Sequence, residues 1–121
     1  MKKNQMKLYE IVKEIFPTDE IFWDYKAPFM KFVDSGVAME LDIWIPEKRI
    51  AFEYQGQQHF SLTGINNFSR DEFEKIKVRD EEKRQACKSN DVVLVEIKYT
   101  WDQTMKHVLS SLKEAGIMIN E

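Results

Sequence analysis

Between residues 39 and 55 the chain alternates in a way that a β-hairpin satisfies and a helix does not. Met39, Leu41, Ile43 and Ile45 are apolar, with Glu40, Asp42 and Trp44 between them. After Pro46-Glu47-Lys48-Arg49, Ile50, Phe52 and Tyr54 alternate with Ala51, Glu53 and Gln55. A period of two places each set on one face of a strand, and the four residues between the runs supply a turn. If that turn pairs Ile45 with Ile50, Asp42 lies directly across from Glu53. Their Cβ atoms would then be ~4.5–5.5 Å apart. In the same register Glu40 faces Gln55, and Trp44 alternates onto the Asp42 face.

Two carboxylates directly opposed across a strand pair destabilise a fold unless something offsets their repulsion. Mg²⁺ suits such a place, because it takes oxygen ligands and often uses only one or two carboxylates with water and substrate phosphate. The competing reading is a solvated polar face in which the carboxylates have no special role. Spacing alone leaves both open.

The rest of the chain supplies partners for this hairpin. Leu8, Ile11, Val12, Ile15 and Phe16 are at helical spacing, so ~3–16 is expected to be an amphipathic helix that Pro17 ends. Ile21, Trp23 and Tyr25 alternate with Phe22, Asp24 and Lys26 as in a strand, and Asp34-Ser35-Gly36 signals a turn. Residues 57–68 are expected to form a polar loop. A long charged helix over ~69–89 follows, with Ser69 as its N-cap. Val92, Val93, Leu94, Val95 and Ile97 make an apolar run of the kind found in a strand covered on both faces. Thr100 and Gln103 have capping-box spacing for a last helix with the stripe Met105, Val108, Leu109 and Leu112, stopped by Gly116. The expected order is α-β-β-β-α-β-α, a mixed four-stranded sheet flanked by helices.

Composition bounds the function classes. With 121 residues, 43% of them hydrophobic, the chain can build one core, so residues 1–121 are read as a single domain. No run approaches the ~20 apolar residues of a membrane span, and no signal peptide is expected at the basic N-terminus. The lone Cys87 permits no intrachain disulfide, which fits a reducing compartment such as the cytoplasm. Two histidines and one cysteine are too few for a Cys/His zinc site. The net charge of -3 offers no general attraction for nucleic acid, so any phosphate-binding surface must come from local clustering or from a second subunit.

The run Met39-Glu40-Leu41-Asp42-Ile43-Trp44-Ile45-Pro46, followed by Ile50-Ala51-Phe52-Glu53-Tyr54-Gln55-Gly56-Gln57-Gln58-His59-Phe60, resembles the core of a PD-(D/E)XK nuclease. It is most similar to the small subgroup related to very-short-patch repair endonucleases and to certain phage and homing endonucleases. Val78-Arg79-Asp80-Glu81-Glu82-Lys83 resembles that subgroup's charged helix, and Glu96-Ile97-Lys98-Tyr99-Thr100-Trp101 the strand and aromatic step after it. The likeness spans residues ~39–101. It implies an α/β, restriction-endonuclease-like fold and metal-dependent cleavage of DNA, with RNA as the alternative polymer, Mg²⁺ as cofactor and Mn²⁺ as substitute.

Carried over by position, the resemblance makes Asp42 and Glu53 the acidic metal ligands. Tyr54 offers a main-chain carbonyl to the metal shell. Gln55 stands where the family has lysine; glutamine positions a water but carries no positive charge. A lysine from the neighbouring helix is then expected to supply that charge, with Lys83 the first candidate and Lys77 the second. His59, just beyond the second acidic strand, is either a general base or phosphate donor, or a loop histidine with local hydrogen bonds.

Other residues carry weaker signals. On the 69–89 helix Phe73, Ile76, Asp80 and Cys87 share a face. Asp80 must therefore meet a partner, through an internal salt bridge or as an acidic neighbour of the metal site, the role also open to Glu40. Lys75, Lys77, Arg79, Lys83, Arg84 and Lys88 are candidate phosphate contacts, but Asp71, Glu72, Glu74, Glu81 and Glu82 interrupt them in the manner of a solvated face. Glu10 and Glu14 lie opposite the apolar stripe of the first helix and are expected in solvent. Trp23, Trp44 and Trp101 either stack on bases or fill the core.

Two functions from different classes follow. One is a Mg²⁺-dependent deoxyribonuclease centred on Asp42 and Glu53. The other is a nuclease-fold module without cleavage that binds nucleic acid or a protein, which the substitution at Gln55 and the net charge favour. So small a domain offers little surface for specific DNA recognition, and a homodimer or a partner subunit would extend it.

Overall fold

Leu8, Ile11 and Val12 form the apolar stripe of the first helix, and all three are buried. The computed structural model describes residues 2–56 and 70–119. Its elements are α1 (Lys3–Ile15), β1 (Phe22–Lys31), β2 (Ala38–Ile45), β3 (Ile50–Gln55), α2 (Arg70–Ser89), β4 (Val93–Lys98) and α3 (Met105–Glu114). This is the α-β-β-β-α-β-α order expected from the sequence. Ser69, the expected cap of α2, lies outside the described residues.

The four strands form one mixed sheet in the order β1-β2-β3-β4. β1, β2 and β3 run antiparallel, while β3 and β4 are parallel, with α2 in the crossover between them. Alternation along β3 and β4 separates the two faces. Ile50, Phe52, Val95 and Ile97 pack with Leu8 and Val12 of α1 and with Val108 and Leu112 of α3. Ala51 and Leu94 pack toward Cys87 of α2, together with Trp44, Met39 and Leu41. The result is three layers: α1 and α3 on one face, α2 on the other.

Several boundaries differ from expectation for identifiable reasons. β1 is longer than its alternation suggested and runs to Lys31, with a register irregularity between Ala27 and Lys31 that obscures the period. The turn after it closes at Gly36, whose φ of +71° suits a residue without a Cβ. The last helix is capped by Thr104, whose side chain accepts from the backbone N–H of His107, and not by Thr100. Trp101 is buried against the α1–α3 side, and Gln103 has a φ of 62°, so residues 101–103 stay outside the helix.

The β2–β3 register begins as expected: Ile45 pairs with Ile50, Trp44 with Ala51 and Ile43 with Phe52. The backbone pairing stops there. Two residues on, the amide of Tyr54 donates to the side chain of Asp42 at 2.8 Å. The expected cross-strand pairs Asp42–Glu53 and Glu40–Gln55 are therefore not formed; Glu53 pairs with Glu96 and Gln55 with Lys98 of β4. Alternation in β2 also breaks at Asp42. Leu41 and Trp44 belong to the core under α2, whereas Ile43 belongs to the opposite one. The expectation that Trp44 follows Asp42 on one polar face gives way to this: the indole is buried, with Tyr25 stacked against it and Phe29 tilted toward it.

Candidate metal centre

Asp42 sits where β2 leaves β3 and remains paired only with β1. The pairs Trp23–Ile43 and Tyr25–Leu41 place Asp24 opposite it. Asp24 has a φ of 50°, in the left-handed region that aspartate tolerates better than most residues. Backbone in that region within a strand is costly, and such positions concentrate at sites where side-chain placement matters. Carboxylate oxygens of Asp24, Glu40 and Asp42 lie within 4.8 Å of one another. With Lys2 and Gln5 at the start of α1, they line an open cavity of about 480 Å³.

Glu53 lies on the next strand. Its Oε1 accepts from Lys83 Nζ at 2.7 Å, and the same ammonium donates to the main-chain carbonyl of Glu40 at 2.7 Å. Lys83 reaches the sheet because it is one helical turn before the buried Cys87 on α2. The other oxygen of Glu53, Oε2, is buried and has no hydrogen-bond partner among the described residues.

The electrostatics match this geometry. Burial pushes the Glu53 carboxyl up to about 7; Lys83 pulls it down in part, and the charge of Asp42 raises it. Asp42 is also raised, first by burial. The Tyr54 amide and Lys83 oppose that shift, and Asp24 and Glu40 add to it. Two adjacent carboxyl groups thus resist ionisation despite a lysine beside them. A cation would reverse that. The donors are all oxygens from carboxylates, a set that suits Mg²⁺ or Mn²⁺ better than softer metals. By donor chemistry and by the unpartnered Glu53 Oε2, the residues fit such an ion.

Gln55, two residues beyond Glu53 on the same face of β3, is 5% exposed. Its Nε2 donates to Glu96 Oε1 at 2.6 Å, and its Oε1 has no partner among the described residues. Glu96 is gripped by Arg84, with Nε donating to Oε2 at 2.9 Å and Nη2 to Oε1 at 2.8 Å. Hydrogen bonding to Glu96 holds the Arg84 guanidinium well above its ordinary value. Arg84, expected among the phosphate contacts, is instead engaged by Glu96 and Glu81.

The remaining candidates are dispersed. Lys75, Lys77 and Arg79 are exposed along α2; Lys77 lies over the Phe73 ring and Arg79 over the Phe32 ring, at 5.2 and 4.1 Å. Asp80 is half-buried and contributes to the field at Arg84. Glu10 and Glu14 are exposed, as expected. Trp101 joins Trp44 in the core, while Trp23 is 49% exposed. His59 lies outside the described residues.

Sequence reasoning did not find Asp24, Lys2, Gln5 or Glu96. Asp24 carried a faint signal as an acid within an apolar strand, the property that marked Asp42. Glu96 carried the same signal, inside the run 92–97.

Among known proteins, similarity is found to viral proteins of undescribed function. Uncharacterized protein 307L of Invertebrate iridescent virus 6 is 28% identical over 93 residues, covering 77% of this chain and 47% of that protein. Uncharacterized protein 094L of Frog virus 3 (isolate Goorha) is 37% identical over 68 residues, 55% of this chain and 44% of that protein. Uncharacterized protein 033L of Invertebrate iridescent virus 3 is 32% identical over 75 residues, 62% of this chain and 39% of that protein. The chain spans less than half the length of each of these relatives. No protein-family model matches it, and no solved structure does.

Proposed function

We propose that this domain is a metal-dependent endonuclease of the PD-(D/E)XK type that hydrolyses DNA phosphodiester bonds. One observation carries the reading. Asp42 and Glu53 come from adjacent strands with raised carboxyl groups, and Lys83 holds one oxygen of Glu53 while the other stays unpartnered among the described residues.

Asp42 and Glu53 would hold Mg²⁺, with the Tyr54 carbonyl as a further donor; Asp24 and Glu40 lie beside Asp42 to share the charge. When bound, the ion acidifies a water and offsets charge at the phosphoryl group. Lys83 supplies the positive charge that Gln55 lacks, from the helix instead of the strand. Gln55 orients water. The exposed cations Lys75, Lys77 and Arg79 on α2 would meet the polymer backbone, which carries charge but no sequence information.

The test is Asp42→Asn. Asparagine still accepts from the Tyr54 amide, so the fold survives. Cleavage of plasmid and oligonucleotide DNA should fall by about 10²-fold or more, the scale expected for loss of a group that stabilises developing charge. The rise in melting temperature on adding Mn²⁺ should vanish as well. Unchanged cleavage in this variant would sink the assignment. A wild-type protein that neither cleaves nor gains stability from Mg²⁺ or Mn²⁺ would favour the second reading, a binding module without cleavage. The tie between Gln55 and Glu96 is the observation that favours that reading, because it draws the amide nitrogen away from substrate.

A further inference from the structure

Arg84 engages both oxygens of Glu96. A carboxylate held at both oxygens by the arms of a guanidinium offers a neighbour only acceptors. Gln55 must therefore turn its NH₂ toward Glu96, at 2.6 Å, and its Oε1 is fixed as an acceptor at the other end. That oxygen is buried without a donor among the described residues, as is Oε2 of Glu53 two residues earlier on the same face of β3. The Gln55 oxygen calls for a donor to lie against it, beside the Glu53 oxygen that would face the cation.

We propose that Glu96 and Arg84 are positioning residues that lock Gln55 as the hydrogen-bond acceptor for a water molecule held beside Glu53. The inference rests on the nuclease reading in one respect: this is the water that the proposed hydrolysis uses. A lysine at position 55 would donate to such a water. Gln55 takes one of its hydrogens instead, which leaves an oxygen lone pair facing away from the amide. Charge and orientation are thereby divided between two residues, Lys83 for the first and Gln55 for the second.

Glu96→Gln tests this, because a glutamine there can donate as well as accept and no longer dictates how the Gln55 amide turns. The expected result is a ~10–100-fold fall in kcat, the usual scale for an orienting partner, with KM and the Mn²⁺-induced rise in melting temperature unchanged. The double variant Gln55→Glu with Glu96→Gln exchanges the two groups and restores an acceptor at position 55, so most of the lost kcat should return. A purely structural role for Glu96 predicts no such return. A crystal structure of the wild type should show an ordered water ~2.6–3.2 Å from Gln55 Oε1, lost in Glu96→Gln. Wild-type cleavage by Glu96→Gln, no recovery in the exchange variant, or a protein donor in place of that water would each overturn the proposal. If the wild type does not cleave, the nuclease reading fails by itself, and the crystallographic comparison still decides whether Glu96 and Arg84 fix an acceptor for water.

Discussion

Glu53 binds its proton more tightly in the folded protein than in the unfolded chain. Its carboxyl is pushed up to about 7 from 4.5, chiefly by burial. As pH rises through that interval the unfolded state loses the proton first, so stability falls between about 4.5 and 7 and levels off above. Glu53→Gln mimics the protonated form. It should melt above the wild type at pH 8 without metal, by roughly 4 °C for each kcal/mol recovered, and the gap should close at pH 5. Adding Mn²⁺ should raise the wild type toward the variant while leaving the variant unmoved. Thermal melts at the two pH values decide it; equal melting temperatures at pH 8 would mean that the carboxylate is already well compensated by Lys83. At this scale the sequence was informative where chemistry and period coincide. Asp42 and Glu53 stood out as acids within apolar strands, while Lys83 was reached only through the family resemblance, as the first lysine candidate on the neighbouring helix. Asp24 was hidden because its place opposite Asp42 depends on how the 32–37 turn sets the β1–β2 register, which no local pattern encodes.

The elements that carry these residues were largely legible from their periods, and the departures arise where side chains replace backbone. The hairpin register holds for its first three pairs. After them the carboxylate of Asp42 takes the Tyr54 amide, so the strands part at the residue on which the site depends. α3 shows a similar substitution. Asp102 accepts from the backbone and hydroxyl of Thr104, and Thr104 in turn accepts from the His107 amide. The pattern Thr100–Gln103 has the right spacing for a capping box, but burial of Trp101 in the core holds that segment outside the helix. Thr104→Ala should therefore cost about 1 kcal/mol. Thr100→Ala should cost little, since position 100 is exposed. Urea unfolding of the two variants separates the assignments by their midpoints.

For the molecule as a whole, the Glu53–Lys83 part of the candidate site lies between the sheet and α2, so anything that separates those layers breaks it. Cys87 reports on that separation. It is buried on the sheet-facing side of α2, and burial pushes its thiol up to about 11, so it should react with a thiol-specific dye at pH 8 only after the layers open. Opening also breaks the Lys83–Glu53 contact. A metal that binds only the closed form should then slow labelling, by about 100-fold at a concentration 100 times its Kd, in the wild type and not in Asp42→Asn. Labelling rates that ignore Mn²⁺ in the wild type would place the metal elsewhere or nowhere. A mixed sheet flanked by helices was expected from the order of elements. The assignment of α1 and α3 to one face and α2 to the other was not, because it needs the pairing of β3 with β4 across α2.

The left-handed backbone at Asp24 restricts which side chains that position can hold. Geometry there admits glycine, asparagine and aspartate with least penalty, while the neighbouring carboxylates of Asp42 and Glu40 define an acidic setting. Asparagine would keep the bend and forfeit the charge; glutamate would keep the charge and lose the bend. Among the twenty amino acids, one alone answers both demands, and the twist of an outer strand thereby becomes a chemical requirement.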